Sequence, residues 1–426
     1  MLKQGTLLSE LQSIVGKKHA REPKDDGDCA VDGLSPKAIV EPGTYEEVAQ
    51  VLRFANTEHL AVIPRGSGFF MHLGNIPALY DIALSLKRLD KVIEHEPADL
   101  TVTCQAGISG EALRSCLDPS GQAVPFPSDP STIGGQLAIN EPFARLLHGT
   151  PRDFTIGMRV VTADGRMTKA GGRVVKNVAG FDLCKLYIGS FGTLGVIVEA
   201  TLKVFPVSHT HDSTEFEFTS IEDISEFTTE VRRRGLAVTS IDIRRMMHPD
   251  GERYVPTSGY VCSVSITGSE AGVERSMREV RAIMDRSHAV TFDSGKLPKP
   301  GDKTPAWALR EEPLTCQASV IPSVVPTLVH AFEDEAPGPF LDIAPALGKV
   351  TGTWLGATDQ PGLVERLRVA ATHLGGSLFV RACDPELKRR IDVFGPTPPS
   401  FPLMRAIKHQ FDPNNVLSPG RFVGRL

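Results

Sequence analysis

Apolar residues recur at two different spacings near the start of the chain. Residues 38–42 form a short apolar run that predicts a strand, and Thr44 with Glu47 has the capping-box spacing that begins a helix. The apolar positions that follow lie on one helical face: Val48, Val51, Leu52 and Ala55. Residues 60–64 form a second apolar run of strand length. A strand, a helix and a strand in this order predict a βαβ unit with two parallel strands.

Alternating apolar residues predict further strands up to residue 207. Residues 101–107 alternate and are followed by a short helical pattern at 109–117. Residues 154–172 predict a hairpin that turns at Asp164-Gly165, since this dipeptide favours tight hairpin turns. Residues 195–207 predict a long strand that carries these side chains on one face: Val196, Val198, Ala200, Leu202 and Val204.

Strands and helices alternate in the second half of the chain. The predicted elements follow one another at 213–219, 221–234, 238–245, 259–267, 270–285, 288–294, 316–322, 323–333, 349–356 and 361–374. This order predicts an α+β sheet layer of the ferredoxin-like type. Residues 402–422 predict a helix and an extended run that returns to the first domain. We therefore divide the chain into an N-terminal segment 1–29, a first domain 30–207, a second domain 208–395 and a C-terminal segment 396–426.

Composition and charge narrow the class of protein. The chain of 426 residues is 41% hydrophobic and 23% charged, which is typical of a soluble globular protein. A formal net charge of -5, without a concentrated basic face, argues against nucleic acid as a partner. The seven cysteines form no CxxC pair, so neither a disulfide framework nor an iron–sulfur cluster is supported in this chain. With no apolar run of about 18 residues and no signal-like start, we expect a cytoplasmic protein that reaches a membrane only through partners.

The loop at residues 64–69, Pro-Arg-Gly-Ser-Gly-Phe, is the first candidate site. It follows the predicted strand 60–64, and open α/β sheets bind ligands at the carboxyl ends of their strands. It has neither the GxGxxG spacing of a dinucleotide fingerprint nor the Gly-Lys-Ser/Thr of a Walker A motif. Two interpretations stay open: a tight turn, or an anion nest in which Gly66 and Gly68 let consecutive amides converge on a pyrophosphate. In the second interpretation the amides hold the phosphates without a buried cation.

Three further segments are ambiguous when each is taken alone. Residues 129–140 contain two glycines and have the pattern of an ordinary helix or strand start. Arg152 and Asp153 lie just before the predicted hairpin, where a surface ion pair is an ordinary explanation. Residues 176–206 contain glycines at 180, 189, 192 and 195. The fixed order of all these segments is more informative than any one of them.

Together these segments resemble the FAD-binding domain of the vanillyl-alcohol oxidase/PCMH flavoprotein superfamily over residues ~30–207. The motifs that carry the resemblance are PRGSG, STIGGQLAIN, HGTPRDFTIGMRVVTADG and VKNVAGFDLCKLYIGSFGTLGVIVE, with FDPNNVLSPGRF near the C-terminus. Within the superfamily the chain is most similar to the glycolate oxidase E subunits. The implied fold class is α+β: a two-subdomain PCMH-type FAD-binding domain, followed by a ferredoxin-like α+β cap domain.

The resemblance implies FAD as the cofactor and a set of residues that hold it. The amides from Arg65 to Phe69 would bind the phosphates, and the loop before residue 140 would continue the cradle. The full set comprises Pro64, Arg65, Gly66, Ser67, Gly68, Phe69, Asp129, Ser131, Thr132, Gly134, Gly135, Asn140, Arg152, Asp153, Gly192, Gly195, Val196 and Ile197. The resemblance implies no metal ligand and identifies no catalytic residue.

Several positions depart from the family pattern. Phe69 stands where members with covalent flavin often carry His, and a phenyl ring has no nucleophilic nitrogen, so we predict a noncovalent FAD. Phe191 replaces a Glu of the dehydrogenase-type subunits, and Ser418 replaces an Asn before Pro-Gly. Glu141 to Ala144 replace the usual small residues, so the Glu141 carboxylate must point away from the phosphates or the loop must have moved. No HxGDGN-like metal and substrate motif occurs in the second half.

Two charged clusters in the second half have ordinary structural explanations. Trp307, Arg310 and Glu311 share one predicted helical turn, where a packed indole beside an ion pair is expected. The alternative is that Arg310 binds a substrate carboxylate bidentately. Arg381 and Asp392 are interpreted as structural.

The activity that the resemblance implies is that of an FAD-dependent oxidoreductase acting on a CH–OH donor. The chain would be the FAD-binding subunit of a complex that oxidises a small 2-hydroxy acid such as glycolate or lactate. Its partners would be a second flavoprotein subunit and an iron–sulfur subunit that receives electrons. Two alternatives stay open: a stand-alone FAD-dependent oxidase of another hydroxy compound, and a non-catalytic assembly subunit that kept the fold and lost the cofactor.

Overall fold

The computed structural model describes residues 4–127, 129–140, 149–172, 181–208, 210–245, 247–250, 253–256, 259–287, 290–291, 313–336, 338–357 and 359–426. Their contacts divide them into two compact units. The first unit comprises the described residues up to Val207 together with Pro396–Leu426, and the second comprises Ser208–Gly395. Each unit has its own hydrophobic core. Some predicted features lie outside the described residues, namely residues 141–144, Gly180, Trp307, Arg310 and Glu311.

The first unit begins with a mixed succession of short elements. In chain order these are α1 (Gln4–Val15), β1 (Ala20–Arg21), β2 (Ala38–Val40), α2 (Tyr45–Thr57), β3 (Val62–Arg65), β4 (Ile82–Ser85), β5 (Val92–Glu96), β6 (Thr101–Gln105), α3 (Gly110–Leu117), β7 (Gln122–Ala123), α4 (Ile133–Ile139), α5 (Pro151–Phe154), β8 (Thr155–Val161), β9 (Met167–Gly171), α6 (Cys184–Tyr187), β10 (Val196–Lys203) and β11 (Phe205–Pro206). They form two principal sheets, β1-β2-β4-β3 and β5-β6-β10-β8-β9.

The predicted βαβ unit is present, with an additional strand between its two strands. β2 and β3 both pair parallel with β4, so they run in the same direction without being neighbours. All four residues of β4 are buried, and such a strand has no alternation to reveal it in a sequence. The predicted N-cap of α2 is confirmed, because Thr44 Oγ1 accepts from the Glu47 amide at 3.1 Å. The reciprocal bond of a capping box is displaced by one residue, since Glu47 Oε2 accepts from the Gly43 amide at 2.6 Å.

The second sheet of this unit is antiparallel and has β10 at its centre. β10 pairs with β6 on one side and with β8 on the other. The hairpin of β8 and β9 is confirmed, and Gly165 in its turn has a φ of +75°. The predicted apolar face of β10 is buried. The opposite face is partly buried, and there Thr201 Oγ1 forms a hydrogen bond with Thr103 Oγ1 at 3.0 Å.

The second unit contains a wide antiparallel sheet with helices. Its elements are β12 (Thr210–Phe218), α7 (Ile221–Arg233), β13 (Val238–Arg245), β14 (Met247–Asp250), β15 (Arg253–Pro256), β16 (Tyr260–Gly268), α8 (Glu270–Met284), β17 (Val290–Thr291), β18 (Leu314–Ser319), α9 (Val325–Glu333), β19 (Phe340–Ala344), β20 (Lys349–Trp354), α10 (Gln360–His373), β21 (Ser377–Ala382) and α11 (Pro385–Arg390). Eight of these strands form one sheet in the order β17-β12-β16-β13-β19-β20-β18-β21.

The two halves of this sheet repeat one topology. The chain passes through β12, α7, β13, β16, α8 and β17, and later through β18, α9, β19, β20, α10 and β21. Each half therefore has the βαββαβ order of a ferredoxin-like fold, with its first strand inserted between its fourth and third strands. The prediction of a ferredoxin-like α+β layer is confirmed. The sequence interpretation missed β19 and β21, which complete the second half.

The C-terminal segment belongs to the first unit. It contains α12 (Phe401–Phe411) and an extended run after it. The Val62 amide in β3 donates to Val416 O at 2.8 Å, and the Ser418 amide donates to Val62 O at 2.9 Å. The Ala78 amide donates to Pro419 O at 2.8 Å. These bonds hold the segment beside the strand that leads into the glycine loop.

Candidate functional site

The glycine loop after β3 forms part of a cleft in the first unit. The cleft has a volume of about 760 Å³ including its open mouth, which is in the range of small-molecule sites. Its lining consists of residues 63–71, 86, 106, 132, 134–135, 138–139, 191–192, 195–197, 418 and 421. Segments that are far apart in the sequence therefore meet at the carboxyl end of β3, where a ligand was expected.

Consecutive amides of the loop are available to a ligand. Among the described residues, none of the backbone amides from Gly66 to Phe70 has a hydrogen-bond partner. Protein amides are nearly always paired when they are not in water, so a run of free amides in a cleft indicates a site for acceptor oxygens. The anion-nest interpretation is therefore favoured over that of a simple turn.

Two glycines permit this geometry for different reasons. A Cβ on Gly66 would lie 2.5 Å from Thr132 Cγ2 and 2.8 Å from Thr132 Cβ, so only glycine fits against the start of α4. Gly68 has a φ of +91°, and a Cβ there would overlap the Arg65 guanidinium. Thr132 is itself fixed, because its Oγ1 caps α4 by accepting from the Gly135 amide at 3.3 Å.

Most of the predicted cofactor-binding residues line the cleft. The structure brings together Pro64, Arg65, Gly66, Ser67, Gly68, Phe69, Thr132, Gly134, Gly135, Gly192, Gly195, Val196 and Ile197. Asp129 and Ser131 lie behind the lining. Ser131 Oγ donates to Asp129 Oδ1 at 2.5 Å and accepts from Gln136 Nε2 at 2.5 Å, so this pair braces the turn before α4.

The remaining predicted residues, Asn140, Arg152 and Asp153, do not line the cleft. Asn140 ends α4 with a φ of +54°. Asp153 accepts from the Thr150 amide at 2.7 Å, which together with the Thr150 hydroxyl lowers the pKa of that carboxyl and caps α5. Arg152 lines a separate cavity of about 580 Å³ and donates to the Lys185 carbonyl. Capping of α5 accounts for the Asp153 carboxylate, whereas Asn140 Oδ1 is buried with no hydrogen-bond partner among the described residues. A place beside the cofactor stays a prediction for these three residues.

Sequence reasoning missed part of the lining. Phe70 and Met71 follow the loop directly, and Leu86, Ala106, Ala138, Ile139 and Phe191 add apolar surface. Ser418 and Arg421 come from the C-terminal segment. The motif SPGRF indicated that this segment lies at the flavin side, but nothing in it singled out Arg421.

Arg421 corrects the expectation that the cleft contains no buried cation. It is 4% exposed, and its Nη2 donates to Met71 O at 3.0 Å and to Leu73 O at 2.5 Å. Burial lowers the pKa of Arg421 to about 10, while the Asp32 carboxylate opposes this change. At neutral pH the guanidinium is therefore still charged, and the cleft is positive as well as rich in amides.

Comparisons with known proteins agree with this site. Residues 36–171 match the family model for the FAD binding domain, and residues 396–422 match that for the C-terminal domain of FAD linked oxidases. These two matches include the glycine loop and the C-terminal wall of the cleft. The chain is an FAD-binding flavoprotein.

Two relatives match this flavoprotein over almost its whole length. Glycolate oxidase subunit GlcD of Bacillus subtilis (strain 168) is 26% identical over 92% of the chain and 89% of the relative. A D-lactate dehydrogenase of Archaeoglobus fulgidus is 28% identical over 91% of each. A D-2-hydroxyglutarate dehydrogenase of Xanthomonas citri pv. viticola is 36% identical over 46% of the chain and 44% of the relative. The particular similarity to glycolate oxidase E subunits stays a prediction, since the relative matched here is named as subunit GlcD.

Solved structures show the same fold as this flavoprotein. An alkyldihydroxyacetonephosphate synthase superposes with a TM-score of 0.72 at 17% identity, covering 98% of the chain and 85% of the synthase. A p-cresol methylhydroxylase with substrate bound superposes with a TM-score of 0.68 at 15% identity, covering 98% and 96%. At these identities the similarity concerns the fold, which confirms the α+β PCMH-type architecture.

The cleft of the flavoprotein fits its cofactor, FAD. FAD carries two phosphates, and the cleft offers free amides from Gly66 to Phe70 with the guanidinium of Arg421. The apolar lining suits a flat aromatic ring. Phe69 is 49% exposed at the cleft, and its ring offers no atom that can form a covalent bond to flavin. A noncovalent FAD therefore stays our prediction.

The described residues that line the cleft include no proton-accepting side chain. Among its described lining residues the titratable groups are the guanidiniums of Arg65 and Arg421, without carboxylate, imidazole or amine. The described part of the chain also shows no group of three or more His, Cys, Asp or Glu that could hold a metal ion. In the same residues no helix is both long and apolar enough to cross a bilayer. The flavoprotein is an FAD-dependent oxidoreductase whose catalytic base has not been identified.

Proposed function

We propose that this chain is the FAD-carrying subunit of a complex that oxidises a small 2-hydroxy acid, with glycolate and lactate as the first candidates. The observation that carries the proposal is the cleft itself, which offers free amides for a dinucleotide and, among its described lining residues, no group to accept a substrate proton. Relatives that match almost the whole chain are named as a glycolate oxidase subunit and a D-lactate dehydrogenase. They support a hydroxy acid as the electron donor.

The residues of the cleft have defined roles in this proposal. The amides from Gly66 to Phe70 donate to phosphate oxygens, and charge-assisted bonds of this kind contribute roughly 1.5–3 kcal/mol each. Val196, Ile197 and the other apolar lining residues exclude water. FAD, when bound, supplies a two-electron acceptor that can release electrons singly to an iron–sulfur centre.

A complex is favoured over a stand-alone oxidase for a specific reason. Oxidation of a hydroxy acid to an oxo acid removes two electrons and two protons, and one proton leaves from the hydroxyl group. An enzyme usually supplies a side chain that accepts this proton. Since no such side chain lines the described cleft, a second flavoprotein subunit would provide the substrate site, and this chain would relay electrons to an iron–sulfur subunit.

The proposal is tested by comparing the isolated chain with the complex that copurifies with it. Both are mixed anaerobically with glycolate, D-lactate, L-lactate and D-2-hydroxyglutarate, and the visible flavin absorbance is followed. We expect this chain's flavin to be reduced only in the complex, and we expect iron in that complex. Acid precipitation should release the yellow cofactor, because no covalent bond holds it.

The outcomes separate the alternatives. Reduction of the isolated chain by another hydroxy compound, with steady oxygen consumption, would support a stand-alone oxidase. A colourless chain that takes up no FAD, in a complex that stays active, would support an assembly subunit. Flavin that is never reduced by any 2-hydroxy acid, in either preparation, would rule out the proposal.

A further inference from the structure

The buried guanidinium of Arg421 is only partly satisfied by the protein. Its Nη2 bonds two carbonyl oxygens, those of Met71 and Leu73. Its Nη1 is buried and has no hydrogen-bond partner among the described residues. A buried donor on a charged group is costly to leave unpaired, so native proteins rarely retain one without a ligand or water to accept from it.

A second buried guanidinium nitrogen without a hydrogen-bond partner lines the same cleft as Arg421. Arg65 has a terminal nitrogen, Nη1, that is likewise buried without a partner in the described part of the chain. The Asp32 carboxylate interacts with Arg421, and burial raises the pKa of Tyr80, which keeps that phenol neutral. The described lining of the cleft therefore contains two guanidiniums and no carboxylate, so its formal charge is positive.

Both arginines belong to the lining of the FAD cleft. The residues that carry the unsatisfied donors thus line the same cleft as the free amides of the glycine loop. A buried cation, an unpaired donor and a cleft for an anionic ligand coincide at one place. The Asp32 carboxylate attracts Arg421 electrostatically, but Arg421 Nη1 forms no hydrogen bond to any described residue.

We propose that Arg421 is a cofactor-binding residue, whose Nη1 donates a hydrogen bond to an oxygen of FAD. The acceptor is an oxygen on the pyrophosphate or on the edge of the flavin ring. Arg421 also bridges two segments, because its Nη2 holds residues 71–73 while its backbone carbonyl accepts from the Asn75 amide at 3.1 Å. FAD binding should therefore stabilise the C-terminal segment against this loop. The proposal depends on FAD as cofactor and not on the substrate or the complex.

Binding measurements with parts of the cofactor test the proposal. Apo-protein of the wild type, Arg421→Met and Arg421→Lys is titrated with FAD, with ADP and with riboflavin. Loss of one charge-assisted hydrogen bond should raise the Kd of FAD in Arg421→Met by roughly 10- to 150-fold. Arg166→Met is the matched control, since Arg166 is exposed in the hairpin turn and pairs only locally with Asp164.

ADP and riboflavin distinguish whether the acceptor oxygen belongs to the pyrophosphate or to the flavin ring. If Arg421 contacts the pyrophosphate, its substitution weakens the binding of FAD and ADP and leaves the binding of riboflavin unchanged. If Arg421 contacts the flavin ring, its substitution weakens the binding of FAD and riboflavin and leaves the binding of ADP unchanged. It also shifts the reduction potential of bound FAD. An equal loss for both fragments would show that Arg421 acts only through the fold, and an unchanged FAD Kd would show that it makes no contact. Either of these last results overturns the proposal.

A second measurement keeps the proposal testable if Arg421→Met does not fold. Amide hydrogen exchange is measured on the wild-type chain with and without FAD. We expect FAD to slow exchange at the amides of Asn75 and Ala78, which donate to Arg421 O and Pro419 O and so join the loop to the C-terminal segment. Unchanged exchange at these amides, in protein saturated with FAD, would contradict the proposed bridging role.

Discussion

Replacement of Lys408 should loosen two walls of the FAD cleft at once. The Lys408 side chain is 7% exposed, and its Nζ donates to Asp412 Oδ2 at 2.6 Å, to Thr193 O at 3.0 Å and to Leu417 O at 2.9 Å. Thr193 follows Gly192, and Leu417 precedes Ser418. Since Gly192 and Ser418 both line the cleft, one ammonium group ties these two segments together.

The magnitude follows from what Lys408→Met leaves behind. Removing one partner of a buried ion pair typically costs about 3–5 kcal/mol, because the other charge stays buried. The Asp412 carboxylate keeps two donors, the amides of Val416 at 2.9 Å and Leu417 at 2.7 Å. We therefore expect a loss of about 3–4 kcal/mol in the free energy of unfolding, which is a large part of the roughly 5–15 kcal/mol of a typical domain.

The assay is urea unfolding of the FAD-loaded chain, followed by circular dichroism and by flavin fluorescence. Arg166→Met is the matched control. Arg166 Nε lies 2.5 Å from Asp164 Oδ2, close to the separation in the buried pair, but the two side chains are 78% and 42% exposed. An exposed pair contributes about 0–1 kcal/mol. If Lys408→Met lowers the free energy of unfolding no more than Arg166→Met does, burial does not strengthen the Lys408 pair and the reasoning is wrong.

Two further predictions concern the glycine loop and the second unit. Gly66→Val should abolish FAD binding, because the new side chain would collide with Thr132. Gly172→Ala is the control and should bind FAD normally, because nothing lies within 4 Å of the added Cβ. Equal Kd values of FAD for the two variants would contradict the anion nest. His330→Ala should destabilise the second unit by under about 1 kcal/mol, since the Glu222 pair is exposed. Glu222 raises the pKa of His330, so this stabilisation is complete below pH ~6.5 and disappears as pH rises through the folded pKa. Unfolding curves at acidic and alkaline pH measure the difference, and a larger effect at alkaline pH would contradict the sign.

The sequence by itself determined much of the local structure. The apolar spacing of α2, the turn at Asp164-Gly165 and the alternation in β10 are properties of neighbouring residues, and the structure confirms them. The positive φ of Gly68 beside Arg65 is local in the same way, whereas Gly66 is required by Thr132, which only the tertiary structure brings into contact with it. The sequence did not predict β4, because four buried residues in succession show no alternation of apolar and polar positions.

The tertiary structure alone decided the electrostatics of the site. Arg421 is about 350 positions from the carbonyls that hold it, and only the return of the C-terminal segment places its charge in the cleft. Asn140, Arg152 and Asp153 stand in motifs of the flavin family, yet the tertiary structure places them outside the described lining of the cleft. Local backbone geometry depends on adjacent residues, whereas the partners of a buried charge depend on how distant segments pack.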